Sequence, residues 1–186
     1  MIGDDDERRI VEALRGRDPA ARDAAMTELH GCIGRALFQL CLRIAGGVQD
    51  AEDAVQETFV DVLRGIGSFR GSAKLSTWIY RVAIRAATRV RSRVRRSAPA
   101  NDVFGQEEPA AGGDPRHAAE QRESAARLLA AIAELPAAHR TVLGLASLQE
   151  LAHHDIAMIL GVPVGTVGSR LHEAKNALRL VLARSR

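Results

Sequence analysis

Arg81, Arg85, Arg89 and Arg96 recur with Ser92 at spacings of three and four inside the segment STWIYRVAIRAATRVRSRVRR, and Trp78 lies on the same side. Wound as a helix, the segment puts Ile79, Val82, Ala83, Ala86 and Val90 on one face and the arginine stripe near a right angle to it. Guanidiniums at that spacing suit phosphate, and an indole beside them offers a plane on which a base can stack. This is binding chemistry: the block holds neither carboxylates for a metal nor a nucleophile with its base. The competing reading is a solvated basic face with Trp78 turned into the core.

Cys32, Cys41 and His30 are the other residues with chemical potential. The cysteines lie nine residues apart in one helical stretch, roughly 13 Å along its axis and too far for a disulfide. No CxxC or HxxxC spacing supports zinc, so buried thiols are expected and neither a metal nor a cofactor is implied.

The net charge of +3 conceals a segregation along the chain. Residues 1–61 hold thirteen acids against seven arginines, whereas residues 62–101 hold ten bases and no acid. An acid-free cationic segment repels itself unless something screens it, which marks the footprint of a polyanion. Phe69, Trp78 and Tyr80, half of the aromatic residues, gather around the loop FRGSAKLS. A polar, glycine-containing loop ahead of a basic helix suits a pocket for an unstacked base.

The elements that position these residues follow from periodicity. With 186 residues, 46% hydrophobic content, 3% aromatics and few strand signals, the chain is expected to be all-α, with helix-on-helix cores. In DAEDAVQETFVDVLRGI, Val55, Phe59, Val62, Leu63 and Ile66 form a core face behind an N-cap at Asp50. Asp53, Gln56, Glu57 and Asp61 line the opposite face, either simply solvated or available to a basic partner. Residues 97–119 carry three prolines, three glycines and no periodicity, and read as a linker between helical domains at 1–96 and 120–186. If flexible, that linker would span roughly 25 to 30 Å. The start, MIGDDDERR, is acidic where a signal peptide would be basic and then apolar, and no run of eighteen apolar residues occurs. A cytoplasmic protein without membrane insertion is expected.

In the C-terminal part, HHDIAMIL is a short helix ended by Gly161. Pro163 restarts the chain, and Val167, Leu171, Ala174, Leu178 and Val181 mark the core face of the next helix. A short helix, a tight glycine turn and an amphipathic helix make a helix-turn-helix. Its opposite face carries Gly165, Ser169, His172, Glu173 and Asn176, flanked by Thr166, Gly168, Arg170, Lys175 and Arg179, the small and hydrogen-bonding types that a major-groove reader requires.

Together, DAEDAVQETFVDVLRGI, FRGSAKLSTWIYRVAIRAA and AELPAAHRTVL with DIAMILGVPVGTVGSRLHEAKNALR resemble, in order, a bacterial RNA polymerase sigma factor of the extracytoplasmic-function (group IV) type in the sigma-70 family. The resemblance implies a dissociable, non-catalytic subunit that selects promoters and is held by an anti-sigma factor. It implies docking of Asp53, Gln56 and Glu57, on the face shared with Asp61, against the clamp helices of the largest subunit of core RNA polymerase. Promoter DNA at the minus-ten element would be read and opened by Phe69, Arg70, Ser72, Lys74, Trp78, Arg81 and Arg85, with Arg89 continuing the stripe. The minus-thirty-five element would be read by Thr166, Ser169, Arg170, His172 and Lys175. The chain departs from the pattern in QELAHHDIA, where Ala152 holds the usual cap position. It departs again at Gly168 and Glu173, where the family commonly has cations. The alternative class is a stand-alone helix-turn-helix regulator, which has no reason to carry an acid-free block after an acidic helix.

Overall fold

A computed structural model describes residues 3–97, 115–148 and 151–184, and all the regular elements among them are helical. Helix α1 spans Asp4–Arg15, α2 Pro19–Ala45, α3 Val48–Gly65 and α4 Leu75–Ser97, with a 3-10 turn at Ile66–Ser68 between α3 and α4. Helices α5 Pro115–Glu134, α6 Ala137–Ala146, α7 His153–Leu160 and α8 Val164–Arg184 follow.

The first four helices build one bundle. Asp18 caps α2 by accepting the Ala20 N–H at 3.1 Å, and Pro19, with its fixed φ, begins the helix. Gly46, left-handed at φ 100°, ends α2 by donating its N–H to the Leu42 carbonyl. Leu29, Leu37 and Leu40 of α2, Val62 of α3 and Ile79 of α4 are fully buried in one apolar core. The expected α4 face is buried throughout, at Ile79, Val82, Ala83, Ala86 and Val90.

Helix α3 is rotated from expectation. It starts after Gly47, so Asp50 sits inside its first turn and is not the cap. Burial, then Asp53, pushes the Asp50 carboxyl up. The buried stripe is Ala51, Ala54, Thr58 and Val62, while Val55, Phe59 and Leu63 are only half-buried. Small residues let α3 lie close to its neighbours, and Thr58 meets its polar need by donating to the Ala54 carbonyl at 2.6 Å. Phe59 instead packs beside His30 of α2, ring centroids 5.2 Å apart.

The segment read as a linker already ends in helix, because α5 begins at Pro115; residues 98–114 lie outside those described. Val142 and Leu145 of α6, Ile156 of α7 and Val167 and Ala174 of α8 close the C-terminal core. Leu178 and Val181, expected in that core, are half-buried, since α8 continues past the helices that cover its first turns. Gly161, left-handed at φ 66°, makes the turn between α7 and α8. Ala152 has no capping side chain, but Asp155 accepts the Ala152 N–H at 3.0 Å and supplies half of a capping box.

The C-terminal helices pack on the bundle at three places. Leu40 of α2 meets Gly144 of α6 so closely that a Cβ there would lie 2.9 Å from the Leu40 Cδ1. Arg91 of α4 donates to the Ala45 carbonyl ending α2 and to the Ala133 carbonyl near the end of α5, each at 2.8 Å. Arg81 of α4 donates to the Met158 carbonyl and, at 3.2 Å, to the Ile159 carbonyl in the last turn of α7. Helix C-termini carry unpaired carbonyls and partial negative charge, so each accepts a cation favourably. Gly144→Val should overpack the α2–α6 contact and lower stability by about 1–3 kcal/mol in urea unfolding, because Leu40 is fully buried and must shift within the core to make room.

Candidate nucleic-acid interface

The acidic face of α3 and the basic face of α4 meet along a groove of about 880 Å³. Asp53 and Gln56 are exposed on its α3 side. Glu57 and Asp61 are turned across it: the Asp61 carboxylate holds Arg89 at 2.6 Å, and Glu57 meets both Arg89 at 3.4 Å and Arg93. The Asp61 hydrogen bond is the main cause holding the Arg89 guanidinium above its ordinary range. Arg89, expected in the DNA stripe, therefore faces the carboxylates of α3. Two of the three carboxylates on this face, Glu57 and Asp61, are already paired within the chain. Arg93, which sequence reasoning did not single out, belongs to this groove; its spacing of four from Arg89 was the available signal.

The loop from Phe69 to Lys74 shows Arg70, Ser72 and Lys74 exposed, with Gly71 left-handed at φ 68°. Phe69 is buried, 7% exposed, and packs on Trp78 with centroids 5.6 Å apart. Trp78 is half-buried and also lies over Gly65, where a Cβ would come within 3.3 Å of the indole. The two aromatics thus brace the loop from beneath. Arg85 is exposed and makes no hydrogen bond or ion pair among the described residues, whereas Arg81 is held by α7.

Helix α8 presents Ser169, His172 and Lys175 outward, with Thr166, Gly168 and Arg170 half-buried at their edge. His172 and Arg179 both bond the Asn176 amide, at 2.9 and 3.2 Å, giving a polar chain along the exposed side. Glu173 approaches the His139 ring of α6 at 3.4 Å. Space around Gly168 is open, with no atom within 4 Å of a Cβ built there.

The cysteines do not form a site. Cys41 is buried, which pushes its thiol up to about 12, whereas Cys32 is exposed, contrary to the expectation that both are buried. Among the described residues no three His, Cys, Asp or Glu side chains are grouped to hold a metal, and no helix is long and apolar enough to cross a membrane.

An all-helical bundle with a basic helix open on one side, joined to a helix-turn-helix, defines a DNA-binding protein of two parts. Residues 29–102 match the family described as Sigma-70 region 2, and residues 125–178 match Sigma-70, region 4. The chain is 31% identical over 187 residues to the RNA polymerase sigma-H factor of Pseudomonas aeruginosa, covering 96% of this chain and 94% of that one. It is 36% identical over 154 residues to the ECF RNA polymerase sigma factor SigW of Bacillus subtilis, covering 77% and 81%. Its fold is shared with CnrH, solved in complex with the cytosolic domain of CnrY (TM-score 0.69, 20% identity, 98% and 100% covered). It is shared also with the sigma factor RpoE of Bartonella quintana, solved with the anti-sigma factor NepR (TM-score 0.63, 22% identity, 86% and 98% covered). The chain belongs to the sigma-70 family and is a sigma factor of the extracytoplasmic-function type. Its function is that of an alternative sigma factor, directing RNA polymerase to promoters.

The thiols give a direct check of packing. A disulfide-exchange reagent at pH 8 should titrate one thiol per native chain, at Cys32, and two after denaturation, because only a thiolate attacks and Cys41 stays protonated and covered.

Proposed function

We propose that three separate surfaces divide the work of this sigma factor. The rim of the α3–α4 groove, at Asp53, Gln56, Glu57 and Asp61, docks on core RNA polymerase. The loop with Arg70, Ser72 and Lys74, braced by Phe69 and Trp78, reads the minus-ten element and receives an unstacked base, while Arg85 contacts phosphate. Helix α8 reads the minus-thirty-five element through Thr166, Ser169, Arg170, His172 and Lys175, and its part of the chain is joined to the bundle through residues 98–114. The protein acts in the cytoplasm, without catalysis of its own, and an anti-sigma factor is its regulatory partner.

The observation that carries this reading is that an acidic helix and an acid-free basic helix are neighbours in one bundle, with Asp53 and Gln56 open on one side and Arg85, Arg70 and Lys74 open elsewhere. Two faces of opposite sign on one rigid body suit a subunit that joins a protein to DNA. Arg81 has a further consequence in this arrangement. Arg81 is exposed but spends its Nε and one Nη2 donor on carbonyls of α7, so only its remaining N–H groups are open to a phosphate while α7 stays on α4.

Run-off transcription with core polymerase tests the division. Asp53→Lys should weaken core binding in a fluorescence titration with little change in melting temperature, since Asp53 is exposed. Arg85→Ala should leave core binding intact, reduce permanganate reactivity of the opened region, and lower the salt slope of promoter binding by about one unit. Unchanged core affinity in the first variant, or unchanged footprints in the second, removes the corresponding surface from the reading.

A weak groove reader is also expected, because Gly168 and Glu173 withhold cations from α8. Gly168→Arg, entering open space and replacing a helical glycine, should tighten promoter binding, more at low salt, and raise helix stability by up to about 1 kcal/mol. Competition binding at two ionic strengths and thermal unfolding measure the two effects.

A further inference from the structure

Helix α1 carries no part of the reading above, yet it holds both ends of the loop that reads DNA in that reading. At the entry, Arg15 donates from Nε to the Ile66 carbonyl at 3.2 Å and from Nη2 to the Phe69 carbonyl. At the exit, the Glu7 carboxylate accepts the Leu75 N–H at 2.7 Å.

Both contacts supply what the local sequence lacks. The first N–H groups of a helix need acceptors, and Lys74, immediately before α4, has a side chain that cannot accept. Glu7 provides that acceptor from 68 residues away and adds a negative charge at the positive end of α4. Between the two ties, Gly71 is left-handed and Arg70, Gly71 and Ser72 are exposed, so the loop tip has little packing to define it.

Helix α1 is seated firmly enough to act as a splint. Ile10 and Leu14 are fully buried, and Arg9 forks onto both carboxylate oxygens of Glu28 in α2, at 2.6 and 2.8 Å. Between α1 and the loop lies a notch of about 520 Å³, with Glu7, Arg8, Glu12 and Arg15 on one wall and Arg70 and Lys74 on the other.

We propose that Glu7 and Arg15 are positioning residues for promoter selectivity: by fixing the two ends of the 69–74 loop they set its shape, and with it the base preference at the minus-ten element. The inference rests on the reading of that loop as the minus-ten reader. A loop tied at both ends presents its donors and acceptors in one geometry, and discrimination between bases depends on such placement. Released from α1, the same side chains would still attract phosphate but would distinguish bases poorly.

The test uses full-length protein with core polymerase on promoter templates carrying each of the four bases at the minus-ten positions, and a parallel set varied in the minus-thirty-five element. Glu7→Ala and Arg15→Ala should each reduce the ratio of best to worst minus-ten base by about fivefold, the scale of one ordinary hydrogen bond lost. Minus-thirty-five preference and core affinity should stay unchanged. Glu7→Gln, which keeps an acceptor, should retain most of the preference, and Arg15→Lys, which cannot span two carbonyls, should not.

Unchanged minus-ten ratios in both alanine variants would overturn the inference. So would parallel losses at both promoter elements, which would assign α1 a purely structural role. Arg70→Ala and Lys74→Ala separate the two levels of the argument. If they shift minus-ten preference and the α1 variants do not, only the splint fails; if they have no effect either, the reading of the loop falls with it.

Discussion

Helix α4 brings seven arginines and no acid into 23 residues, and helices α2, α3, α5 and α7 each supply groups that answer that charge. Its guanidiniums are answered in three chemically different ways. Arg89 and Arg93 meet carboxylates of α3; Arg81 and Arg91 meet carbonyls in the last turns of α7, α2 and α5; Arg85 meets only solvent. A helix end and a carboxylate both answer a guanidinium, because each offers negative potential to a planar donor, partial charge in the one case and a full charge in the other.

Magnitudes separate what holds the fold from what orients it. Exposed ion pairs such as Arg89 with Asp61 contribute about 0–1 kcal/mol each. Burying a leucine or isoleucine contributes roughly 1.5–3 kcal/mol, and a dozen large side chains here are fully covered. Apolar packing of α2 against α3 and α4 therefore holds the bundle together. The arginine contacts decide which polar surfaces remain open, and Arg81 and Arg91 add polar ties to the apolar contact that seats the C-terminal helices on the bundle. Arg91, and Arg140 of α6, which donates to the Leu135 carbonyl, are the costly cases: burial pushes both down, Arg140 to about 10. Each still donates to backbone carbonyls, so the charge is not stranded, although Nε of each has no partner among the described residues.

The two elements proposed to face DNA are built on different principles. Helix α8 is a regular helix started by Pro163 after a glycine turn, and its outward side chains follow from helical geometry alone. The loop before α4 has no such internal rule. Its shape depends on Phe69 and Trp78 beneath it and on the side chains of α1 at its ends. Helix α8 is defined by local structure, the loop by contacts between residues far apart in the chain.

Sequence alone determined the helical character, the α4 core face, the helix-turn-helix with its Gly161 turn, and the family, because each is written in residues close together along the chain. A period of 3.6 and a glycine with positive φ are local properties, and nearest neighbours suffice to reveal them. The rotation of α3 onto Ala51, Ala54, Thr58 and Val62 was decided by tertiary packing, since small residues win a close helix contact that a count of large apolar side chains does not foresee. Tertiary structure also decided that Arg89 faces carboxylates, that Arg81 and Arg91 bind helix ends, and that Glu7 and Arg15 grip a loop more than fifty residues away. Long-range hydrogen bonds leave no period in the sequence: a guanidinium reads the same whether a phosphate, a carboxylate or a carbonyl waits for it, and only the fold says which one is in reach.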